Sequence, residues 1–411
     1  MKHSDREIIR DLAKKYREIC QDPVMEERRQ LWKAKNSLQA TRILLLVSFG
    51  MHNVWCRELF ADSHLACRDE FFRTWERHLK MLLFHSEIGD DWIAEPWLAV
   101  PAVHKTDAWN GLWGLPVKME PPPEEGGAGK YDPPLKNWEM MKLLRVPHHL
   151  IDEEQSERNV SRLAEAIGEI LPVRMNRSPV CLGFSMDIST HLGRLRGHEQ
   201  IMFDMYDSPE NLHRLLAFMR DGILTNQEEA EEKGDITLLS HVNQAMAYSQ
   251  ALEGPAIDSG PRKREDIWGY CAAQEFTLIS PAMHDEFLLQ YQLPILKKFG
   301  LTAYGCCENL TEKINILRQI PNLRIIAVTP TANVHRCAEQ IGRDYVLSWR
   351  PNPGDMVGYG FHEARIRRVI TDAMTSLRHC QPIIVLKDVE TVQGEPERLK
   401  KWVRLVRELT S

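Results

Sequence analysis

From the middle of the chain onward, hydrophobic positions follow two alternating periodicities. Short apolar runs, typical of buried strands, precede longer segments in which apolar residues recur every three or four positions, typical of amphipathic helices. The predicted strands lie near Trp92 and at 179–186, 236–240, 267–273, 301–306, 323–328, 345–348 and 382–386. Strands that alternate with helices build parallel sheets. Eight of them predict an α/β fold closed into a (β/α)8 TIM barrel.

An open, doubly wound sheet is the competing α/β architecture. Such a sheet would carry a glycine-rich phosphate loop after its first strand. Neither G-x-G-x-x-G nor G-x-x-x-x-G-K-[ST] occurs in this chain. The pattern therefore favours the barrel.

The first 80 residues have a different, mainly helical pattern. Ser4 and Glu7 form a capping-box motif ahead of apolar positions at helical spacing, and further helices are predicted at 23–35 and 68–85. We expect residues 1–80 to form a helical extension packed on a barrel of residues 81–411. The Pro/Gly-rich stretch 120–134 has neither helix nor strand periodicity, so it is interpreted as a loop inserted over the barrel mouth.

The composition indicates which partners and which cellular compartment to expect. The net charge is -6, whereas nucleic-acid-binding proteins usually carry an excess of basic residues. The longest purely aliphatic run, 43–47, is far shorter than a membrane span. Nine cysteines without regular spacing do not resemble a disulfide framework. We therefore expect a soluble cytoplasmic protein with reduced thiols, binding neither nucleic acid nor membrane.

Candidate chemistry is concentrated where the strand 301–306 ends, at Cys306, Cys307, Glu308 and Asn309. Thiolates and carboxylates are zinc ligands, and a catalytic zinc uses three protein groups. Buried packing of the cysteines is the alternative, because free cysteine is among the most buried residue types. Neighbouring strand residues face opposite sides, so only one cysteine would enter a core unless the strand has already ended.

In a barrel, the carboxyl ends of the strands gather one set of side chains at one face. His241 is the most plausible imidazole ligand there, although a histidine at a strand end serves structure about as often as function. The polar residues expected at this mouth are Asp90, Asp91, Asp187, His241, Gln274, Glu275, Cys306, Cys307, Glu308, Thr329, Trp349, Arg350, Lys387 and Asp388.

Several motifs together resemble the uroporphyrinogen decarboxylase superfamily. They are Ile88-Gly-Asp-Asp91, Asp187-Ile-Ser-Thr-His-Leu-Gly193, Met202-Phe-Asp-Met-Tyr-Asp-Ser-Pro-Glu210 and the cysteine-containing strand end. The similarity spans most of the chain from about residue 80. Its closest branch in character is the zinc-dependent methyltransferases that serve corrinoid proteins, which carry His-x-Cys followed by Gly-Asn after the fifth strand and a further Cys after the eighth.

The match to that branch has four departures. Cys307 and Asn309 overlay the family Cys and Asn, but Gly305 stands at the histidine position and Glu308 replaces the glycine. Cys306 is additional. The eighth strand ends in Lys387-Asp388 without a cysteine. The arginine-rich N-terminal motif expected of the decarboxylase itself is absent from the sequence.

The resemblance implies a methyltransferase or demethylase that moves a methyl group between a small methylated substrate and a corrinoid (cobalamin) held by a partner protein. Zinc would polarise the heteroatom that carries the methyl group. The residues implied are Glu308, Asp187 and Glu275 for catalysis, Arg350 and Asn309 for cofactor binding, and His241, Cys306, Cys307 and Glu308 for zinc. Whether His241, Glu308 or a residue after the eighth strand is the third ligand is left open, as is a homodimer.

Two other functions remain open from the sequence. A metal-independent lyase resembling the decarboxylase would act on a carboxylated substrate through Asp187 and Arg350. A barrel without catalysis would serve binding or assembly. The intact Cys-Cys-Glu cluster is evidence against this last interpretation.

Limited proteolysis tests the predicted insertion. Cleavage should begin within residues 120–134, because an exposed Pro/Gly-rich insertion is more mobile than its flanks. Mass spectrometry of the first fragments locates the cut. If this stretch resists protease as long as the predicted helices do, its interpretation as an exposed loop is wrong.

Overall fold

A parallel sheet of six strands forms the centre of the protein. The computed structural model describes residues 4–48, 57–106, 111–122, 129–242, 244–258 and 260–411. Hydrogen-bonded neighbours follow the order β1-β10-β9-β8-β7-β6. The strands are β1 (Leu44–Val47), β6 (Trp268–Cys271), β7 (Leu301–Tyr304), β8 (Leu323–Val328), β9 (Val346–Trp349) and β10 (Gln381–Leu386).

Four further strands form two small sheets. β2 (Leu98–Pro101) and β5 (Val173–Asn176) are parallel, and β3 (Lys118–Glu120) and β4 (Lys130–Asp132) form an antiparallel hairpin. In the described part of the chain, no strand ladder joins the β2–β5 pair to the six-stranded sheet. The result is a mixed α/β architecture consistent with a TIM-barrel-like fold. Closure into one ring stays a prediction.

Helices surround these sheets. They are α1 (Asp5–Cys20), α2 (Val24–Lys35), α3 (Glu70–Ile88), α4 (Glu153–Ile167), α5 (Ser189–Arg196), α6 (His198–Asp207), α7 (Pro209–Glu232), α8 (Pro281–His284), α9 (Gln290–Leu296), α10 (Ile314–Leu317), α11 (Val334–Ile341), α12 (Glu363–Leu377) and α13 (Glu397–Thr410). The capping box of Ser4 and Glu7 is confirmed. None of the helices described here is long and apolar enough to cross a bilayer.

Both faces of the central sheet are buried. In β10, Ile383 and Val385 pack into one core cluster, together with Trp32 of α2. Ile384 and Leu386 point the other way, into a second cluster with Trp402 of α13. Strands covered on both faces carry continuous apolar runs, which explains why these segments lack polar alternation.

The predicted strands were partly wrong. The segment 179–186 is not a strand but contains the 3-10 helix Gly183–Met186, and neither 236–240 nor the segment around Trp92 is assigned as a strand. β1, β2 and β5 were missed. β1 lies inside the stretch 1–80 interpreted as a helical extension, yet it pairs with β10 in the central sheet. Whether a short apolar run becomes a strand depends on a pairing partner, which periodicity does not reveal.

The inserted segment is also more ordered at its ends than predicted. Lys118–Glu120 and Lys130–Asp132 pair as strands, with Met119 opposite Tyr131, so the expectation of no strand in 120–134 is wrong there. Residues 123–128 lie outside the described part of the chain. Both Met119 and Tyr131 are exposed, which matches a hairpin projecting from the main body.

Candidate active site

A glycine, Gly305, follows strand β7 and directly precedes the cysteine pair. Gly305 has φ 101°, a left-handed conformation that only glycine adopts readily. A Cβ there would lie 2.8 Å from Leu310 Cδ1 and 2.9 Å from Ala327 Cβ. Because the strand ends at Tyr304, strand alternation no longer applies to Cys306 and Cys307. Both sulfurs can therefore turn toward the same place.

We call Cys306, Cys307, Lys387 and Asp388 the dithiol site. The two Sγ atoms are 3.6 Å apart, with Cys306 buried and Cys307 exposed. The Nζ atom of Lys387 is 3.3 Å from each sulfur and 2.7 Å from the carboxylate of Asp388. A third contact joins Cys307 Sγ to Asp388 Oδ2 at 3.8 Å. One buried cation thus lies among three potential anions.

The dithiol site favours a single thiolate. The hydrogen bond donated by Cys307 lowers the pKa of Cys306 from 9.0 to about 6, and the charges of Lys387 and Arg350 help to outweigh burial. The same hydrogen bond and burial raise the pKa of Cys307, which keeps its proton. Burial works against the ammonium of Lys387, but the sulfurs and Asp388 outweigh it and raise its pKa.

The carboxylate of Glu308 binds backbone groups and stabilises the loop after β7. It is therefore not free to contact the two thiols. Its side chain is fully buried and accepts hydrogen bonds from the backbone N–H of Ala273 and of Cys306, both at 2.8 Å. Ala273 lies in the loop after β6, whereas Cys306 lies in the loop after β7. The carboxylate therefore joins two neighbouring strand-end loops.

Arg350 and Asn309 each form hydrogen bonds to backbone groups of the protein. Arg350 is 2% exposed and donates from Nη1 to the carbonyl of Cys306. Asn309 Oδ1 accepts from the backbone N–H of Thr311, and Nδ2 donates to the carbonyl of Thr331. No described helix begins at Asn309. The cofactor-binding role of Arg350 and Asn309 stays a prediction.

Two acidic side chains with raised pKa values, Asp187 and Glu275, interact with Glu308 of the loop after β7. Asp187 is fully buried, and burial followed by the charge of Glu275 raises its pKa well above the ordinary range, although Thr190 donates to it from N and Oγ1. Burial also raises the pKa of Glu275. Charge on Glu308 contributes to both shifts. The three acids therefore act on one another electrostatically.

Glu275 also lines the best candidate for a substrate cavity. This space, about 480 Å³, lies between the β3–β4 hairpin and helices α5 and α6. Its polar lining includes Lys130, Thr190, Arg194, His198 and Glu275. Glu275 Oε2 is buried and has no hydrogen-bond partner within the described ranges. A volume of this size is typical of a site for a small molecule.

His241 lies in a different cavity. That space has a volume of about 290 Å³. Its lining includes Asn176 of β5, in a two-stranded sheet, and Tyr270 of β6, in the central sheet. His241 Nδ1 accepts from the backbone N–H of Ala247, and Nε2 is 3.4 Å from Glu95 Oε1. Nδ1 is therefore hydrogen-bonded, whereas the buried Nε2 has no hydrogen-bond partner among the described residues. The structure does not bring His241 together with the dithiol site.

The dithiol site meets only part of what a catalytic zinc needs. Two thiolates bonded to zinc at about 2.3 Å are roughly 3.8 Å apart, close to the observed sulfur separation of 3.6 Å. However, among the described residues no three His, Cys, Asp or Glu side chains are grouped to hold a metal ion. Lys387 already contacts both sulfurs. As arranged here, these residues do not fit a resident zinc.

The sequence analysis left a residue after the eighth strand open as a zinc ligand but assigned no role to Lys387. The position of Lys387 and Asp388 directly after a predicted strand was a usable signal, and it placed them at the mouth. Their function was missed because the resemblance directs attention to a cysteine at that position. The contact of Lys387 with both sulfurs appears only once β7 and β10 are placed in one sheet.

Comparison with known proteins supports the fold. A methyltransferase from Methanosarcina mazei superposes with a TM-score of 0.52 and 11% sequence identity, covering 93% of this chain and 98% of that one. No family model matches the chain. No curated protein matches its sequence significantly. At this identity the likeness concerns architecture, which the two chains share over nearly their full lengths.

Replacing Gly305 with alanine should destabilise the site loop. Gly305→Ala combines a left-handed backbone with two close contacts, so we expect a loss of about 2–4 kcal/mol of unfolding free energy. Gly89→Ala is the matched control, because Gly89 has φ 80° but open space around its Cβ position. Only about 1–2 kcal/mol should be lost there. Urea unfolding measures both, and equal losses would contradict the close contacts at Gly305.

The thiolate should be visible in a pH titration of ultraviolet absorbance. One thiolate should form as pH rises through about 6, well below the ordinary 9.0, because the charged form of Cys306 is the stabilised one. Cys306→Ser should remove this step. Cys380→Ser should leave it intact, since Cys380 has a raised pKa. A step that persists in Cys306→Ser would contradict the assignment.

Proposed function

We propose that this protein is a methyltransferase that moves a methyl group between a small substrate and a corrinoid carried by a partner protein. The observation that carries the proposal is the shared architecture with a methyltransferase over 93% of the chain. The polar residues after β6, β7 and β10 support it. A bound corrinoid would supply a strongly nucleophilic acceptor for the methyl group.

The cavity lined by Glu275 is the proposed substrate site. Its walls offer Thr190, Arg194 and His198 for orientation, and the hairpin contributes Lys130 and Tyr131 as a cover that would limit access of water. The Arg194 guanidinium lies 5.3 Å from the centre of the Tyr131 ring, which ties the hairpin to α5. A small substrate with a heteroatom-bound methyl group fits the volume of this cavity.

Glu275 is the proposed proton donor. When a methyl group leaves, the electron pair of the broken bond stays on the heteroatom, which then needs a proton. A carboxyl group whose pKa is raised by burial keeps its proton nearer neutral pH and can donate it. Glu275 Oε2 is free of protein partners among the described residues, which leaves it available to a substrate.

Glu308 connects this acid to the dithiol site. It binds the N–H of Ala273, two residues before Glu275, and the N–H of Cys306. The proton donor and the thiolate therefore lie on loops held together by one carboxylate. This supports a single reaction site over two independent ones.

The zinc implied by the family resemblance stays a prediction, and no step proposed here depends on it. The lyase alternative has less support. Its candidates Asp187 and Arg350 are 0% and 2% exposed and are bonded to protein groups, so neither is presented to a carboxylated substrate. The accessible cavity with Glu275 favours the methyl-transfer proposal.

A methyl-transfer assay tests the proposal. Purified protein is mixed with cob(I)alamin and methylated ethers, amines or thiols, and methylcobalamin formation is followed by absorbance. Glu275→Gln should slow transfer about 10²–10⁴-fold, because an amide cannot donate the proton. Glu339→Gln, at an exposed glutamate of α11, is the control and should match the wild type.

Two results would count against this function. Full activity in Glu275→Gln would remove the proposed proton donor. No methylcobalamin from any of the three donor classes, with folded protein in hand, would argue against methyl transfer to a corrinoid.

A further inference from the structure

We propose that Lys387 fills the cation position of the dithiol site and keeps zinc out of it. The inference rests on the proposed function for the reaction of this site, but metal binding is measured without turnover. The site would then hold its thiolate with the protein's own ammonium group. Zinc could enter only if Lys387 withdrew.

The first argument is geometric. Nζ of Lys387 lies 3.3 Å from both sulfurs and 2.7 Å from the carboxylate of Asp388. A zinc bonded to both sulfurs on the side of Asp388 would lie within roughly 2 Å of Nζ, given zinc–sulfur bonds of about 2.3 Å. The two cations cannot both occupy that space.

The second argument is that Lys387 is held firmly. It is 4% exposed and directly follows β10, which pairs with β1 on one side and β9 on the other. Within the described ranges, its hydrogen-bond and ion-pair partners are the two sulfurs and Asp388. Leaving them would bury an unpaired ammonium, which is unfavourable unless the side chain reaches water.

The third argument concerns the remaining donors and charges. Glu308 is committed to two backbone N–H groups, and His241 faces Ala247 and Glu95 in another cavity. Asp388, the carboxylate of the dithiol site, is paired with Lys387. While that pair holds, a zinc ion would have two thiolates where a catalytic site uses three protein ligands. It would also meet a second positive charge, because Arg350 is bonded to the carbonyl of Cys306.

Lys387→Met tests the inference. Wild-type and variant proteins, expressed in zinc-supplemented medium, are compared by elemental analysis and by competition for Zn²⁺ with a chromogenic chelator. We expect the wild type to purify largely without zinc and Lys387→Met to bind one zinc at least about tenfold more tightly, since the competing ammonium is gone. Cys306→Ser added to Lys387→Met should abolish the gain, locating the ion at the dithiol.

Lys35→Met is the matched control. Lys35 is also buried, and its Nζ lies 3.5 Å from Gln381 at the opposite end of β10. It should bind zinc as the wild type does. Should Lys387→Met fail to fold by circular dichroism, Lys387→Gln removes the same charge with a polar side chain and is judged by the same criterion.

The possible results distinguish failure of this inference from failure of the proposed function. Stoichiometric zinc in the wild type, removed by Cys306→Ser, would overturn the inference and favour the zinc enzyme implied by the family resemblance. Unchanged zinc affinity in Lys387→Met or Lys387→Gln would overturn it as well. Loss of the proposed function would appear as absent methyl transfer while the zinc affinities of wild type and Lys387→Met still differed.

Discussion

The buried ammonium of Lys387 imposes the main constraint on the mouth of this protein. A charge taken out of water must be paired, and here its partners are two adjacent sulfurs and one carboxylate. This requirement contributes to the lowered pKa of Cys306, whose largest cause is the hydrogen bond donated by Cys307. It also requires that the loop after β7 and the end of β10 stay in register, because the contact joins residues 80 positions apart.

That register is maintained by backbone features more than by the reactive groups. Gly305 turns the chain at the end of β7, and Glu308 fastens the resulting loop to Ala273 after β6. Behind them, the central strands pack on both faces into separate apolar clusters. The polar site is thus built on a rigid base, which is how barrel-like folds support varied chemistry with little change in their cores.

Two environments with different proton affinities lie side by side at this mouth. The acids Asp187 and Glu275 have raised pKa values because they are buried near one another. Cys306 has a lowered pKa because Cys307 donates a hydrogen bond to it and because Lys387 and Arg350 lie nearby. A site in which the pKa of a carboxyl group is raised and the pKa of a thiol is lowered can combine proton donation with stabilisation of charge, which suits the transfer of a group from a protonatable heteroatom.

Local signals in the sequence determined several features by themselves. The capping box at Ser4, the helices that followed and the strands from β7 to β10 depend on neighbouring residues, and they were predicted. β1, β2 and β5 were not, because a short apolar run becomes a strand only when a distant partner supplies its hydrogen bonds. The polar residues at strand ends were likewise identified from sequence, but their partners were not. Glu308 turned out to brace two loops, His241 faces another cavity, and Lys387 reaches both cysteines. Such contacts depend on which strands are neighbours in the sheet, and only the tertiary structure decides that.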